Sequence, residues 1–107
     1  MTAFKFHDLP VSNITPEAAG AVAITFQVPE DLRSGFNFKA GQFLTLRASI
    51  DGNDVRRSYS ISSSQNSYVQ NGTLEVGIRP VQGGVFSNWA ATQLKVGDVL
   101  RVMPADG

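Results

Sequence analysis

The sequence predicts an all-β domain: a six-stranded antiparallel Greek-key barrel, closed on itself, with one short capping helix near residues 87–94. Three observations point there. Apolar and polar residues alternate with a period of two along several short stretches. Clusters of Gly, Pro, Asn and Asp separate those stretches at the spacing of hairpins and short connections. A single late stretch, around Trp89, changes to helical character. A β-sandwich is the competing all-β solution, but one helix over an open end suits a barrel better.

The first segment, Phe4 to Ile14, alternates loosely through Phe4, Phe6, Leu9 and Val11. It reads as an edge strand, where Pro10 is tolerated because one side is unpaired; His7 on it reads as a surface or packing histidine. Ala21 to Val28 is rich in β-formers, with Val22, Ile24, Phe26 and Val28 on one face and Pro29 ending it. Pro29-Glu30-Asp31-Leu32 reads as a turn or short helical piece, and Phe36 and Phe38 follow at strand spacing. Lys39-Ala40-Gly41-Gln42 turns into a strand over Phe43 to Ala48. Asp51-Gly52-Asn53-Asp54 is the strongest hairpin signal, because Asp-Gly and Gly-Asn supply the positive φ of a tight turn. Val55 to Ser62 is then the return strand. The polar run Ser63 to Gly72 reads as a long exposed loop. Thr73 to Val81 follows as a strand with Leu74, Val76 and Ile78 on one face. Ser87 to Leu94 carries the helix, Lys95-Val96-Gly97-Asp98 stops it, Val99 to Met103 is the last strand, and Pro104-Ala105-Asp106-Gly107 is a terminal turn.

Nine Lys and Arg against nine Asp and Glu leave no net charge, and the charges are dispersed. No electrostatic footprint for nucleic acid or an anionic membrane follows from that balance. No apolar run approaches the roughly 20 residues of a membrane-spanning helix. Met1-Thr2-Ala3-Phe4-Lys5 lacks the apolar core of a secretory signal, so a cytoplasmic protein is expected. With no cysteine and a single histidine, disulfides, thiolate chemistry and cysteine-held clusters are excluded from this chain, and no metal site is expected. Redox chemistry here would belong to an organic cofactor.

Two stretches carry candidate chemistry. In Arg56-Arg57-Ser58-Tyr59-Ser60-Ile61-Ser62 a guanidinium, an aromatic ring and hydroxyls fall within one short strand. Arg57 can make paired, charge-assisted hydrogen bonds to phosphate oxygens, or serve as a rim arginine or in a structural ion pair. Tyr59 offers a flat surface to a conjugated ligand, or a cross-strand packing ring. Strict alternation places Arg57 and Tyr59 on one face with Val55 and Ile61, and turns Ser58 and Ser60 away. Ser60 and Tyr59 then reach one ligand only if the strand bends or bulges, or if the loop after it opens. The second stretch, Gly83-Gly84-Val85-Phe86-Ser87-Asn88-Trp89, reads as a glycine turn opening a helix. Backbone N–H groups of a first helical turn receive a phosphate well, and Ser87 is either the N-cap or a direct phosphate ligand. Two anion-binding devices together suit a diphosphate, and a flavin dinucleotide fits best.

Arg57-Ser58-Tyr59-Ser60 resembles the Arg-x-Tyr-Ser/Thr motif of the ferredoxin–NADP reductase-like flavoproteins, and Gly84-Val85-Phe86-Ser87 resembles their Gly-x-x-Ser motif. Ala40-Gly41-Gln42-Phe43 is similar to the family's Pro-Gly-Gln, with Ala in place of Pro; Lys95-Val96-Gly97-Asp98 is similar to its Lys-x-Gly-Asp, and Pro104-Ala105-Asp106-Gly107 to its Pro-x-Gly-type exit. The set spans essentially the whole chain in order. It is closest to the oxygenase reductases of that family, above all those serving phenylacetyl-CoA ring epoxidation, with ketosteroid hydroxylase and aromatic dioxygenase reductases as near neighbours.

The resemblance implies an antiparallel barrel holding FAD beside an NAD(P)H domain, and in this subgroup a plant-type 2Fe-2S domain that passes electrons to an oxygenase component. It implies that Arg57 pairs with the diphosphate, that Tyr59 stacks on the isoalloxazine, and that Ser60, after Ser58, lies near the reactive nitrogen edge. Gly77, Ile78 and Arg79 would line the ribityl and adenine side through backbone. After Gly84, Val85, Phe86 and Ser87 would offer N–H groups to the phosphates. No Gly-x-Gly-x-x-Gly unit precedes Gly107, so residues 1–107 are expected to be the FAD-binding part of a larger reductase, inactive alone. The rival from another class is a non-enzymatic barrel that binds an oligonucleotide or a protein partner.

Overall fold

Within residues 5–107, which the computed structural model describes, the strands are β1 (His7–Pro16), β2 (Val22–Gln27), β3 (Phe43–Ile50), β4 (Asn53–Ser60), β5 (Thr73–Ile78) and β6 (Val99–Asp106). Helix α1 (Gln65–Asn71) lies between β4 and β5, and α2 (Val85–Thr92) between β5 and β6. Every pairing is antiparallel, in the spatial order β4-β3-β6-β1-β2-β5. The β3–β4 connection is the predicted tight turn, with Asp51 at φ 51° and Gly52 at φ 80°, the paired positive values that match the twist of a two-residue hairpin. The connections after β2, β4 and β5 each leave the adjacent strand, which is Greek-key connectivity.

The sheet is not closed along its length. Its outer strands meet at one bridge, Ile61 with Val76, and the Ser62 N–H donates to Glu75 O at 2.8 Å beside it. The barrel is therefore tied at one point of its β4–β5 seam and open beyond it.

Alternation fills the interior as predicted. Val22, Ile24, Phe26 and Val28, then Leu44, Leu46, Ala48 and Ile50, then Leu74, Val76 and Ile78 are all buried. Burying one such side chain contributes about 1.5–3 kcal/mol, and β1 and β6 add Leu9, Val11, Leu100 and Val102. Only β4 lacks a fully buried residue; Val55 and Tyr59 pack against the core half-buried.

Several expectations are corrected. β1 is not an edge strand: it pairs β6 over His7–Pro10 and β2 over Val11–Pro16. Pro10 is tolerated because the strand changes partners there, so each half has one unpaired side. Phe4 lies outside the described residues. The loop expected over Ser63–Gly72 contains α1, capped by Ser64, whose Oγ accepts from Ser67 N–H at 3.0 Å. Its one buried residue, Tyr68, donates its hydroxyl proton to Arg33 O. Phe36 and Phe38 belong to no strand; both reach the core from the connection before β3. Pro104-Ala105-Asp106 is not a terminal turn but the end of β6. The register shifts there, from Thr45↔Met103 to Phe43↔Asp106, and the extra residue accommodates a proline that cannot donate to a ladder. β4 ends at Ser60 and β5 at Ile78, both earlier than expected.

Phe36 is 1% exposed yet sits outside any regular element, so it should carry core energy that its local structure does not suggest. Phe36→Ala is expected to destabilise the domain by about 3–5 kcal/mol; urea unfolding monitored by circular dichroism checks it.

Candidate functional site

The opening begins where the seam comes untied. Ile61 N–H donates inward along the sheet to Gln42 O, whereas Ser62 N–H donates across the seam to Glu75 O. Backbone groups of successive strand residues point to opposite sides, so Ser60, Ser58 and Arg56 turn theirs toward the seam. On β5, Glu75 faces the seam through both its N–H, bonded to Ser63 Oγ at 2.9 Å, and its C=O; Gly77, two residues on, faces it too. Past the Ile61–Val76 bridge no β4–β5 ladder continues. A Cβ built at Gly77 would meet nothing within 4 Å, which leaves space for a close approach.

Arg57 lies along this free edge. It is exposed, and its Nη1 donates to Arg56 O at 2.6 Å. Among the described residues the ion pairs are Arg47–Asp54 and Arg56–Asp54, so no carboxylate is within reach of Arg57. Its register partner is Leu46, which is fully buried. The guanidinium therefore sits on the core-facing side of an edge strand, uncovered. Tyr59, two residues along, is half-buried, and burial pushes its hydroxyl pKa up while the charge of Arg57 pulls the other way.

The start of α2 packs against the same face. Tyr59 and Phe86 have ring centroids 5.9 Å apart at 38°, and Phe86 meets Trp89 edge-on at 5.6 Å. Gly84, not Ser87, is the N-cap, and no side chain caps the helix. The N–H groups of Val85, Phe86 and Ser87 are left without a side-chain acceptor, and the helix dipole adds positive potential there. Ser87 is buried and its Oγ accepts from Val81 N–H at 3.2 Å. Asn88 Nδ2 donates to Val81 O at 2.8 Å and to Gly84 O at 2.7 Å. These two side chains hold the Gly83-Gly84 turn rigidly against the helix. The chain turns there with Gly83 at φ 76°.

The predicted residues thus sort onto three mutually contacting elements beside the untied stretch of the seam. Arg57 and Tyr59 face it from β4 by side chain. Ser58 and Ser60 face it by backbone only; β4 pairs with β3 without a bulge, and the Ser58 hydroxyl lies on the other face, 2.9 Å from Thr45 Oγ1. Gly77 and Arg79 lie along β5 and its continuation, with the Ile78 side chain in the core. Gly84, Val85, Phe86 and Ser87 open the third, α2. Sequence reasoning missed Asn88 as a positioning residue and the Ser62–Glu75 contact that ties the seam, where Ser62 Oγ donates to Glu75 Oε1 at 2.8 Å. A serine two residues past the strand, opposite a lone strand glutamate, was the available signal. A hollow of about 440 Å³ between Phe38, Lys39, Gln42, Gln65 and Gly107 borders none of the predicted residues.

A family model described as an oxidoreductase FAD-binding domain matches residues 8–107. One component of the 1,2-phenylacetyl-CoA epoxidase of Escherichia coli K12 is 41% identical over 102 residues, spanning 95% of this chain and 28% of that protein. The ferredoxin reductase component of the Rhodococcus rhodochrous 3-ketosteroid-9-alpha-monooxygenase is 36% identical over 100 residues, spanning 92% and 28%. Of the solved structures, a ferredoxin NADP+ reductase from Neisseria gonorrhoeae with bound FAD and NADP superposes with a TM-score of 0.78 at 25% identity, over 96% of this chain and 39% of that one. The chain spans less than a third of the length of the two curated relatives.

A Cβ at Gly84 would lie 2.5 Å from Ser87 Oγ and 2.6 Å from Val81 Cγ2. Gly84→Ala is therefore expected to displace the Ser87–Val81 contact and cost about 1–3 kcal/mol by overpacking. A thermal melt lowered by several degrees relative to the parent checks it, and an unchanged melt would show that the turn relaxes freely.

Proposed function

Because this chain belongs to the oxidoreductase FAD-binding domain family, we propose that the open stretch of its β4–β5 seam seats FAD. One observation carries the reading: Arg57, without a carboxylate partner, shares a face with the uncapped amides of α2 through the Tyr59–Phe86 contact. A guanidinium and a helix start converging from two elements suit a diphosphate better than a single phosphate.

In this reading Arg57 pairs with diphosphate oxygens, and the Val85, Phe86 and Ser87 amides bind them from the other side. Gly84 brings the backbone close. Tyr59, already tilted against Phe86, supplies the stacking face for the isoalloxazine. Burial keeps its hydroxyl protonated, so the ring stays neutral beside the flavin. Ser58 and Ser60 contribute seam-facing backbone groups, those of Ser60 lying nearest the nitrogen edge. Gly77, Ile78 and Arg79 line the ribityl and adenine side, where the space open at Gly77 admits the ligand. Bound FAD would supply hydride acceptance and single-electron release; the chain supplies placement and electrostatics.

For the whole protein we propose the reductase component of an oxygenase system, in the cytoplasm. NAD(P)H would deliver hydride to the flavin, and a 2Fe-2S centre would carry electrons to an oxygenase, as in the phenylacetyl-CoA epoxidase system to which one relative belongs. The nicotinamide and cluster sites are assigned outside these 107 residues. No described helix is long and apolar enough to cross a membrane.

Titrating the chain separately with FAD and FMN, followed by visible absorbance, tests the seat. FAD is expected to bind the tighter of the two, since only it carries the diphosphate. Arg57→Ala should weaken FAD binding by about 1.5–3 kcal/mol, the scale of a charged hydrogen bond. Equal FAD affinity in parent and variant would remove Arg57 from the site.

A further inference from the structure

The outer face of the sheet carries a feature that flavin binding does not use. The register aligns Arg56 of β4 with Arg47 of β3, Arg47 with Arg101 of β6, and Arg101 with Asp8 of β1. The buried residues of β3 and β6 are the alternate ones, Leu46, Ala48, Leu100 and Val102, so the arginines stand in one row on the outward side. Adjacent strands lie about 4.8 Å apart, and like charges directly opposite one another are destabilising. A chain with no net charge nonetheless concentrates three cations there.

Their internal compensation is partial. Asp54 Oδ1 accepts from Arg47 Nε at 2.8 Å, and Asp54 Oδ2 lies 3.8 Å from Arg56. The hydrogen bond from Arg47, then the nearby cations, hold the Asp54 carboxyl below the usual range, so it stays ionised. The Phe6 ring is engaged by both Arg47 and Arg56, each 5.3 Å from its centroid. Asp8 makes no ion pair among the described residues, and Met1–Phe4 contain no carboxylate. Beside the row lies a hollow of about 240 Å³ bordered by Asp8, Arg47, Ser49, Trp89 and Arg101.

We propose that this face of β4, β3 and β6 is a docking surface for an acidic protein segment, with Arg56, Arg47 and Arg101 as its cationic row. The charge pattern selects a protein over other polyanions. Asp8 at one end and Asp54 near the other would repel a run of phosphates, whereas a protein segment of mixed sign can match both. Phe6 is already stacked by guanidiniums and so offers no platform for a base. The hollow beside Arg47 and Arg101 gives one carboxylate-bearing side chain a place to enter. The row lies on the opposite face of β4 from Arg57 and Tyr59, so docking does not depend on the flavin reading.

The test uses a fluorescent peptide of glutamates flanked by lysines as the probe, with the double variants Arg56→Gln/Arg101→Gln and Lys39→Gln/Lys95→Gln, which remove equal charge. Arg47 is kept because it holds Asp54. Binding to the parent is expected to weaken as salt rises, and to fall roughly five- to tenfold in the arginine variant only. Unchanged melting of that variant confirms that folding is intact. No salt-sensitive binding, or equal loss in both variants, overturns the proposal. Tighter retention on phosphatidylserine vesicles or single-stranded DNA than on that peptide, lost with the same arginines, also overturns it and assigns the row to a membrane or a nucleic acid.

Discussion

The open length of the seam between β4 and β5 is the constraint on which the rest depends. Two edge strands ordinarily satisfy their outward amides and carbonyls by pairing, because unpaired edges invite association with other chains. Here pairing stops at Ile61 with Val76 and the Ser62–Glu75 bonds. Had the ladder run on past that bridge, Ser58 would face Arg79 across ordinary hydrogen bonds, and no opening would exist. The seam is tied where the core needs closing and left apart where backbone donors and acceptors face outward.

An opening of this kind must still be held to shape, and α2 does so. A helix normally satisfies its first amides with a capping side chain. In this chain the side chains at that point serve the turn instead: Ser87 accepts from Val81 N–H, and Asn88 donates to Val81 O and Gly84 O. The result is a helix start that is rigid yet uncapped. Its amides lie on the flank of β4 because Phe86, fully buried, wedges between Tyr59 and Trp89. Packing on one side of the first turn thus fixes the direction in which its donors point.

The sequence made legible what depends on period and local turn chemistry. The buried faces of β2, β3 and β5 follow from strict alternation, and the β3–β4 turn from Asp51-Gly52. The two candidate stretches were also readable, as was the conflict between Ser60 and Tyr59. What stayed hidden depends on partners distant in the chain. Pro10 reads as an edge signal, yet β1 is central because it changes neighbours at that residue. Pro104 reads as a terminator, but a bulge opposite Thr45 and Phe43 absorbs it. Helix α1 shows only polar residues around Tyr68 and an exposed Val69, too weak a stripe for periodicity to register. The start of α2 two residues early reflects a cap made by backbone alone, which leaves no side-chain signature.

Strand β4 shows how one edge strand can serve two surfaces without compromise. Its odd residues Val55, Arg57 and Tyr59 face the core and the opening; its even residues Asp54, Arg56 and Ser58 face outward, where Arg56 joins the arginine row and Ser58 bonds to Thr45. A one-residue slip would exchange these sets entirely, turning Tyr59 to solvent and Arg56 toward Leu46. The slip is prevented by the short Asp51-Gly52 turn, which fixes the offset at one end, and by the Ile61–Val76 bridge, which fixes it at the other. Both surfaces therefore inherit their geometry from the same two pins. A change that loosens either pin should disturb the opening and the arginine row together, whereas a side-chain change on one face leaves the other intact.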